Sequence, residues 1–228
     1  MTLSPDFARA RAVAWKDLRT ERRSLANFSG VLFLALLMLL LFGFALGPDA
    51  AGLREAAAGI IWLAVLFSGV LAFNRSYQVE LDDGAFETLL LYPGARWPIF
   101  VGKLAANMAF VLGVEVIVVP LAAVLFHADL TRAGVALAAV MLLGTVGFVT
   151  LGTFYAAVAS RTRAREVLLP LLLLPMLVPV LIAAAKATGA LTSGDVMGDA
   201  ASWIRLLVAF DLIFLTASLA VYDVVIAG

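Results

Sequence analysis

Long apolar runs alternate with short polar segments along this chain. The runs cover residues 28–46, 56–73, 104–126, 134–159, 167–185 and 204–227. A helix that crosses the hydrocarbon core of a membrane needs about 20 largely apolar residues, so each run is a candidate span. The runs are continuous rather than alternating, which favours helices over the strands of a barrel. The pattern predicts an all-α membrane protein of six transmembrane helices in one domain, residues 1–228. The sixth run is the least clear, because Arg205, Asp211 and Asp223 interrupt it.

The polar segments give a direction. Arg9, Arg11, Lys16, Arg19, Arg22 and Arg23 precede the first run; Arg75, Arg96 and Lys103 stand between the second and third; Arg161, Arg163 and Arg165 between the fourth and fifth. The opposite side is left with Arg54, Arg132, Lys186 and Arg205. Cytoplasmic segments hold the excess of Lys and Arg, so both termini are expected inside. Trp203, in the last outward loop, suits the membrane interface. Ala45-Leu46-Gly47 offers small residues for signal cleavage, but the charged region before the first run is too long for an ordinary signal, and the run is expected to stay as a span.

Ser4-Pro5 is a helix start, and Phe7, Ala10, Ala14 and Leu18 recur at helical spacing between basic positions. This predicts an N-terminal amphipathic interfacial helix lying on the cytoplasmic surface. The plainer alternative is a basic flank that only sets topology. The segment 80–93 departs from the basic rule. Glu80, Asp82, Asp83 and Glu87 gather on the side where bases are expected. Asp83 can cap a short helix, Ala85, Phe86, Leu89 and Leu90 give it an apolar stripe, and Pro93 ends it. An acidic amphipathic helix joined to two spans suits the docking of a soluble partner; the alternative is a solvated loop helix with none.

Composition and chemistry narrow the function. Hydrophobic residues make up 64% of the chain and charged residues 14%, far from the balance of a soluble domain. Zero formal net charge argues against nucleic acid as a partner, and the lack of cysteine excludes disulfides and thiolate sites. The one Gly-Lys pair, Gly102-Lys103, is followed by Leu104 and has no glycine at the P-loop spacing before it; a Gly-x-Ser-x-Gly elbow is also missing. No catalytic site is expected. Glu115, mid-span, and Asp211, two turns into the sixth run, are the intramembrane polar candidates, since a buried charge costs at least about 2.5 kcal/mol. For Glu115 the alternative is a glutamate bonded to a neighbouring helix, while Asp223 can snorkel to water. Pro170, Pro175 and Pro179 predict a kinked fifth span, with a re-entrant or moving element as the alternative.

Glu80-x-x-Asp83-Gly84-x-x-Glu87-x-Leu89, closing at Pro93, resembles the segment after the second span of ABC-2 type transporter permeases. Together with Gly59-Ile60-Ile61-Trp62, Leu89-Leu90-Leu91-Tyr92-Pro93, Gly102-Lys103 and the stretch from Leu174-Pro175 to Leu181-Ile182, it resembles the heme exporter protein B (CcmB) family of cytochrome c maturation. The resemblance implies the membrane subunit of an ABC complex in the cell inner membrane. A separate ATPase subunit (CcmA) would bind the ATP, and CcmC, CcmD and the heme chaperone CcmE would be further partners. A short coupling helix carrying Glu80, Asp82, Asp83, Gly84, Phe86, Glu87, Leu89 and Leu90 would dock the ATPase. Six spans are half the complement of an ABC exporter, so a second membrane subunit, a copy of this chain being one candidate, is expected about a twofold axis. Heme would be handled by the complex. The residues themselves do not support heme binding by this chain, whose one histidine, His127, reads as a surface residue at the edge of the third span. Rival readings are an ABC-2 permease exporting a drug, lipid or polysaccharide, a proton-coupled secondary transporter using Glu115 and Asp211, and a structural scaffold.

Overall fold

The computed structural model describes residues 5–23, 25–82, 84, 94–129, 134–160, 162, 165–194 and 198–227. Among them are seven helices and no strand: α1 Pro5–Arg23, α2 Leu25–Leu46, α3 Ala50–Asp82, α4 Trp97–Leu125, α5 Gly134–Ser160, α6 Arg165–Ser193 and α7 Asp199–Ala227. The last six are each long and apolar enough to cross a membrane. The helices outrun the apolar runs that announced them. α3 continues to Asp82 and α7 begins at Asp199, because polar residues at a span's end continue the same backbone hydrogen bonding beyond the hydrocarbon. At its other end α3 is started by Asp49, whose Oδ1 and Oδ2 accept from the backbone N–H of Ala51 and Gly52 at 3.0 and 3.2 Å. The three prolines of α6 are accommodated within one unbroken helix, Arg165–Ser193.

α3 and α5 form the interior, while α2 and α7 turn most of their length outward. The outward side chains include Phe44, Val116, Val124, Leu171 and Val224, which suits contact with lipid. Between apolar helices in lipid, close packing replaces the hydrophobic effect as the main attraction, so small residues gather where helices touch. The α3–α5 contact is built this way. The rings of Trp62 and Phe73 on α3 fill the space where Gly144 and Gly152 of α5 lack a side chain, and Phe148 of α5 does the same at Gly69. The Trp62 indole N–H also donates to Thr188 Oγ1 on α6 at 3.1 Å.

Helix α1 forms as its spacing predicts, but its inward stripe differs. Ala10 and Val13 are buried, while Phe7 and Trp15 are exposed. The reason lies on α4. At Gly102 an added Cβ would stand 2.6 Å from Val13 Cβ and 2.7 Å from the Ala10 carbonyl oxygen, so only glycine lets the two helices approach this closely. α1 is thereby held against the helical bundle rather than resting on lipid alone, with Phe7 meeting Trp97 edge-on at 5.9 Å.

Candidate functional site

The acidic segment 80–93 begins in the last turn of α3, and a set of charges surrounds the described residues on either side of positions 83–93. Lys103, one turn and a half into α4, is fully buried. Its Nζ donates to the Ser76 carbonyl oxygen at 2.6 Å and to Asp17 Oδ2 at 3.2 Å. Glu80 Oε2 lies 2.9 Å away, as an ion pair rather than an aligned hydrogen bond. The ammonium also stands 4.5 Å from the centre of the Tyr77 ring. Lys16 completes the cluster by pairing with Glu80 Oε1 and, at 3.0 Å, with Asp17 Oδ1. Two cations and two carboxylates from α1, α3 and α4 thus neutralise one another, which is the condition for keeping charge out of water. Burial lowers the affinity of the Lys16 ammonium for its proton, but Asp17 and Glu80 more than offset this and leave its pKa raised above the ordinary 10.5.

The far end of the segment is tied as well. The Arg96 backbone N–H donates to Asp223 Oδ1 on α7 at 3.1 Å, and Arg9 of α1 donates to the Ala95 carbonyl oxygen at 3.2 Å. Nearby, the hydroxyls of Tyr77 and Tyr222 share a hydrogen bond of 3.2 Å, and Phe100 packs on Tyr222 at 5.1 Å. The described residues on both sides of positions 83–93 are therefore fixed to α1 and to the bundle.

This geometry revises the role of two residues assigned to docking. Glu80 is only 5% exposed and its carboxylate is engaged by Lys16 and Lys103, so its charge faces inward and is not offered to a partner. Gly84 adopts φ +65 and its N–H donates to the Leu81 carbonyl oxygen at 3.2 Å; it serves the turn that ends α3. Asp82 is the last residue of α3. Asp83, Phe86, Glu87, Leu89 and Leu90, and with them the short helix expected there, lie outside the described residues. Lys16, Asp17, Lys103 and Asp223 were not singled out for this site by sequence. The available signals were a lysine directly before the third apolar run and an aspartate within a basic helix.

The intramembrane candidates are separated. Glu115 on α4 is buried and its Oε1 accepts from Thr145 Oγ1 on α5 at 2.5 Å; that hydroxyl also lies 2.8 Å from the Met141 carbonyl oxygen. This is the helix-to-helix bond that stood as the alternative to a functional glutamate. Asp211 on α7 is buried with no hydrogen-bond partner for either oxygen among the described residues, and it faces Gly147. Thr145 and Gly147 are two positions apart on α5, which places them on different faces of that helix. Glu115 and Asp211 do not share a site. His127 is exposed, with φ 52, at the turn after α4.

At the end of the bundle opposite the ion cluster, a cavity of about 1090 Å³ opens between α3, α6, α7 and the turn after α4. Its lining includes Arg54, His127, Lys186 and Trp203.

Known proteins resemble this chain along most of its length. The family model for CcmB protein matches residues 8–225. Heme exporter protein B of Rhodobacter capsulatus is 34% identical over 176 residues, which is 77% of this chain and 80% of the relative. The protein of the same name from Haemophilus influenzae is 31% identical over 171 residues, covering 75% and 77%. That of Pseudomonas aeruginosa is 27% identical over 197 residues, covering 86% and 88%. With six membrane-length helices and a match that runs from α1 into α7, this chain belongs to the CcmB protein family.

Proposed function

We propose that this chain is the non-catalytic permease subunit of an ABC complex that serves cytochrome c maturation by heme export. The observation that carries the reading is membership of the CcmB family together with relatives named heme exporter protein B. Energy comes from a separate ATPase subunit, CcmA, and the complex includes CcmC, CcmD and the heme chaperone CcmE. Heme is the cargo of that complex. The protein resides in the inner membrane with both termini in the cytoplasm, a direction supported by the Lys and Arg bias and by the basic helix α1.

The physical support for an ATPase dock is the anchoring of the residues that flank positions 83–93, Glu80 on one side and Arg96 on the other. A push on a loosely held loop is absorbed by the loop. A push on a segment tied at Glu80 to Lys16 and Lys103, and at Arg96 to Asp223, is delivered to α1, α3, α4 and α7 together. Asp83 and Glu87 are then the charges that meet the ATPase, and Phe86, Leu89 and Leu90 supply the apolar contact. The test is copurification of tagged CcmA with this chain from membranes, comparing wild type with Asp83→Lys and Glu87→Lys. Retention of CcmA by wild type and its loss in both reversals supports the dock. Equal retention in all three places the contact elsewhere.

A further inference from the structure

The cavity opposite the ion cluster has features that packing alone does not require. At about 1090 Å³ it is as large as the upper range of pockets that hold small organic ligands. Its inner walls are apolar and small, with Ala58 and Gly59 from α3 facing Ile182, Ala185 and Gly189 from α6, and Trp203 of α7 closes one side. Two cations stand above these walls. Arg54 is one turn inside the start of α3, while Lys186 lies two turns, about 10 Å, before the end of α6. Neither enters an ion pair among the described residues. Of the carboxylates that also line the cavity, Asp129 and Asp199 already have partners, and Glu55 stands beside Arg54.

Lys186 is exposed and lines this cavity together with Arg54. The arrangement is an apolar floor beside two cations that have no ion pair among the described residues. We propose that the cavity binds an acidic amphiphile, with its carboxylate or phosphate head on Lys186 and Arg54 and its apolar body lying over the contact of α3 with α6, against Trp203. Two sources share that chemistry: an anionic lipid of the surrounding leaflet, and a carboxylate-bearing tetrapyrrole. The second source rests on the proposed function, whereas the first does not.

The chain has no cysteine, so single thiols can be placed and read without a prior substitution. Gly59 has open space where a Cβ would stand, which makes Gly59→Cys a reporter in the cavity; Ser202→Cys, exposed and outside the lining, is the control. The full chain is reconstituted in phosphatidylcholine nanodiscs and labelled with a charged, water-soluble maleimide. One arm adds phosphatidylglycerol to the nanodisc and the other adds protoporphyrin IX. Labelling at Gly59→Cys should slow about tenfold when a ligand is present at ten times its Kd, with Ser202→Cys unchanged. Protection by phosphatidylglycerol alone identifies lipid as the occupant, and by protoporphyrin alone the tetrapyrrole; protection by either supports the site. Adding Lys186→Gln should remove the protection. So should Gly189→Leu, because a Cβ there stands 3.8 Å from the nearest atom, Ala58 Cβ, leaving the longer side chain to fill the cavity. Absence of labelling in phosphatidylcholine, labelling unaffected by both probes, or equal protection after Lys186→Gln would overturn the proposal.

Discussion

Removing Lys103 tests whether the ion cluster holds α1, α3 and α4 together. Lys103→Met keeps the length of the side chain and deletes one of two cations. Asp17 and Glu80, 16% and 6% exposed at their side chains, would then share Lys16 alone. Breaking a buried pair by deleting one partner costs about 3–5 kcal/mol, most of it the charge left without compensation. Glu80→Gln is milder, about 1–3 kcal/mol, since Lys103 retains Asp17 and the Ser76 carbonyl and the amide oxygen can still accept. Combining the two leaves Lys16 and Asp17 as a neutral pair. The double variant should therefore cost less than the sum of the singles, with a coupling energy of about 1–3 kcal/mol. The assay is reversible unfolding of the purified chain in bicelles, run as a double-mutant cycle. A loss below about 1 kcal/mol for Lys103→Met, or strict additivity, would refute a cooperative cluster and reduce these contacts to incidental pairing.

Other consequences follow from the same coordinates. Gly102→Ala forces α1 away from α4 and should cost about 1–3 kcal/mol, with earlier proteolytic release of α1 as its signature. Because the Lys16 pKa is raised on folding, its stabilising contribution is complete below its ordinary 10.5 and is lost as pH rises through the higher folded value; the alkaline midpoint of unfolding should move less in Lys16→Met than in wild type. Asp211→Ala removes a buried carboxylate that has no partner among the described residues, and thermal unfolding should show a gain of about 1–3 kcal/mol. Glu115→Gln preserves the bond to Thr145, so complementation of cytochrome c maturation should survive it; loss of growth would return the secondary-transporter reading.

The six spans were legible because a membrane leaves little choice: continuous apolar runs of that length must become helices, and Lys and Arg sort to one side. Their ends were less legible, since Arg54 and Glu55, or Arg75 to Glu80, read as loop residues but lie on α3. The acidic segment stood out by charge, yet charge alone did not reveal that Glu80 turns inward. That depends on Lys103, which is 23 positions away and reads equally well as a topology signal. The close approach of α1 rests on Gly102, and nothing local separates a packing glycine from an idle one. The outer cavity was illegible for a similar reason, because its walls come from four segments of the chain brought together only by the packing of α3 on α6.

If residues 83–93 dock the proposed ATPase, its ATP turnover is coupled to this chain through them. The direct measurement is the turnover rate of purified CcmA in lipid, alone, with the wild-type chain, and with Glu87→Lys. The rate should depend on the wild-type chain and return to that of CcmA alone with the reversed charge. A rate unchanged by the wild-type chain would contradict the coupling.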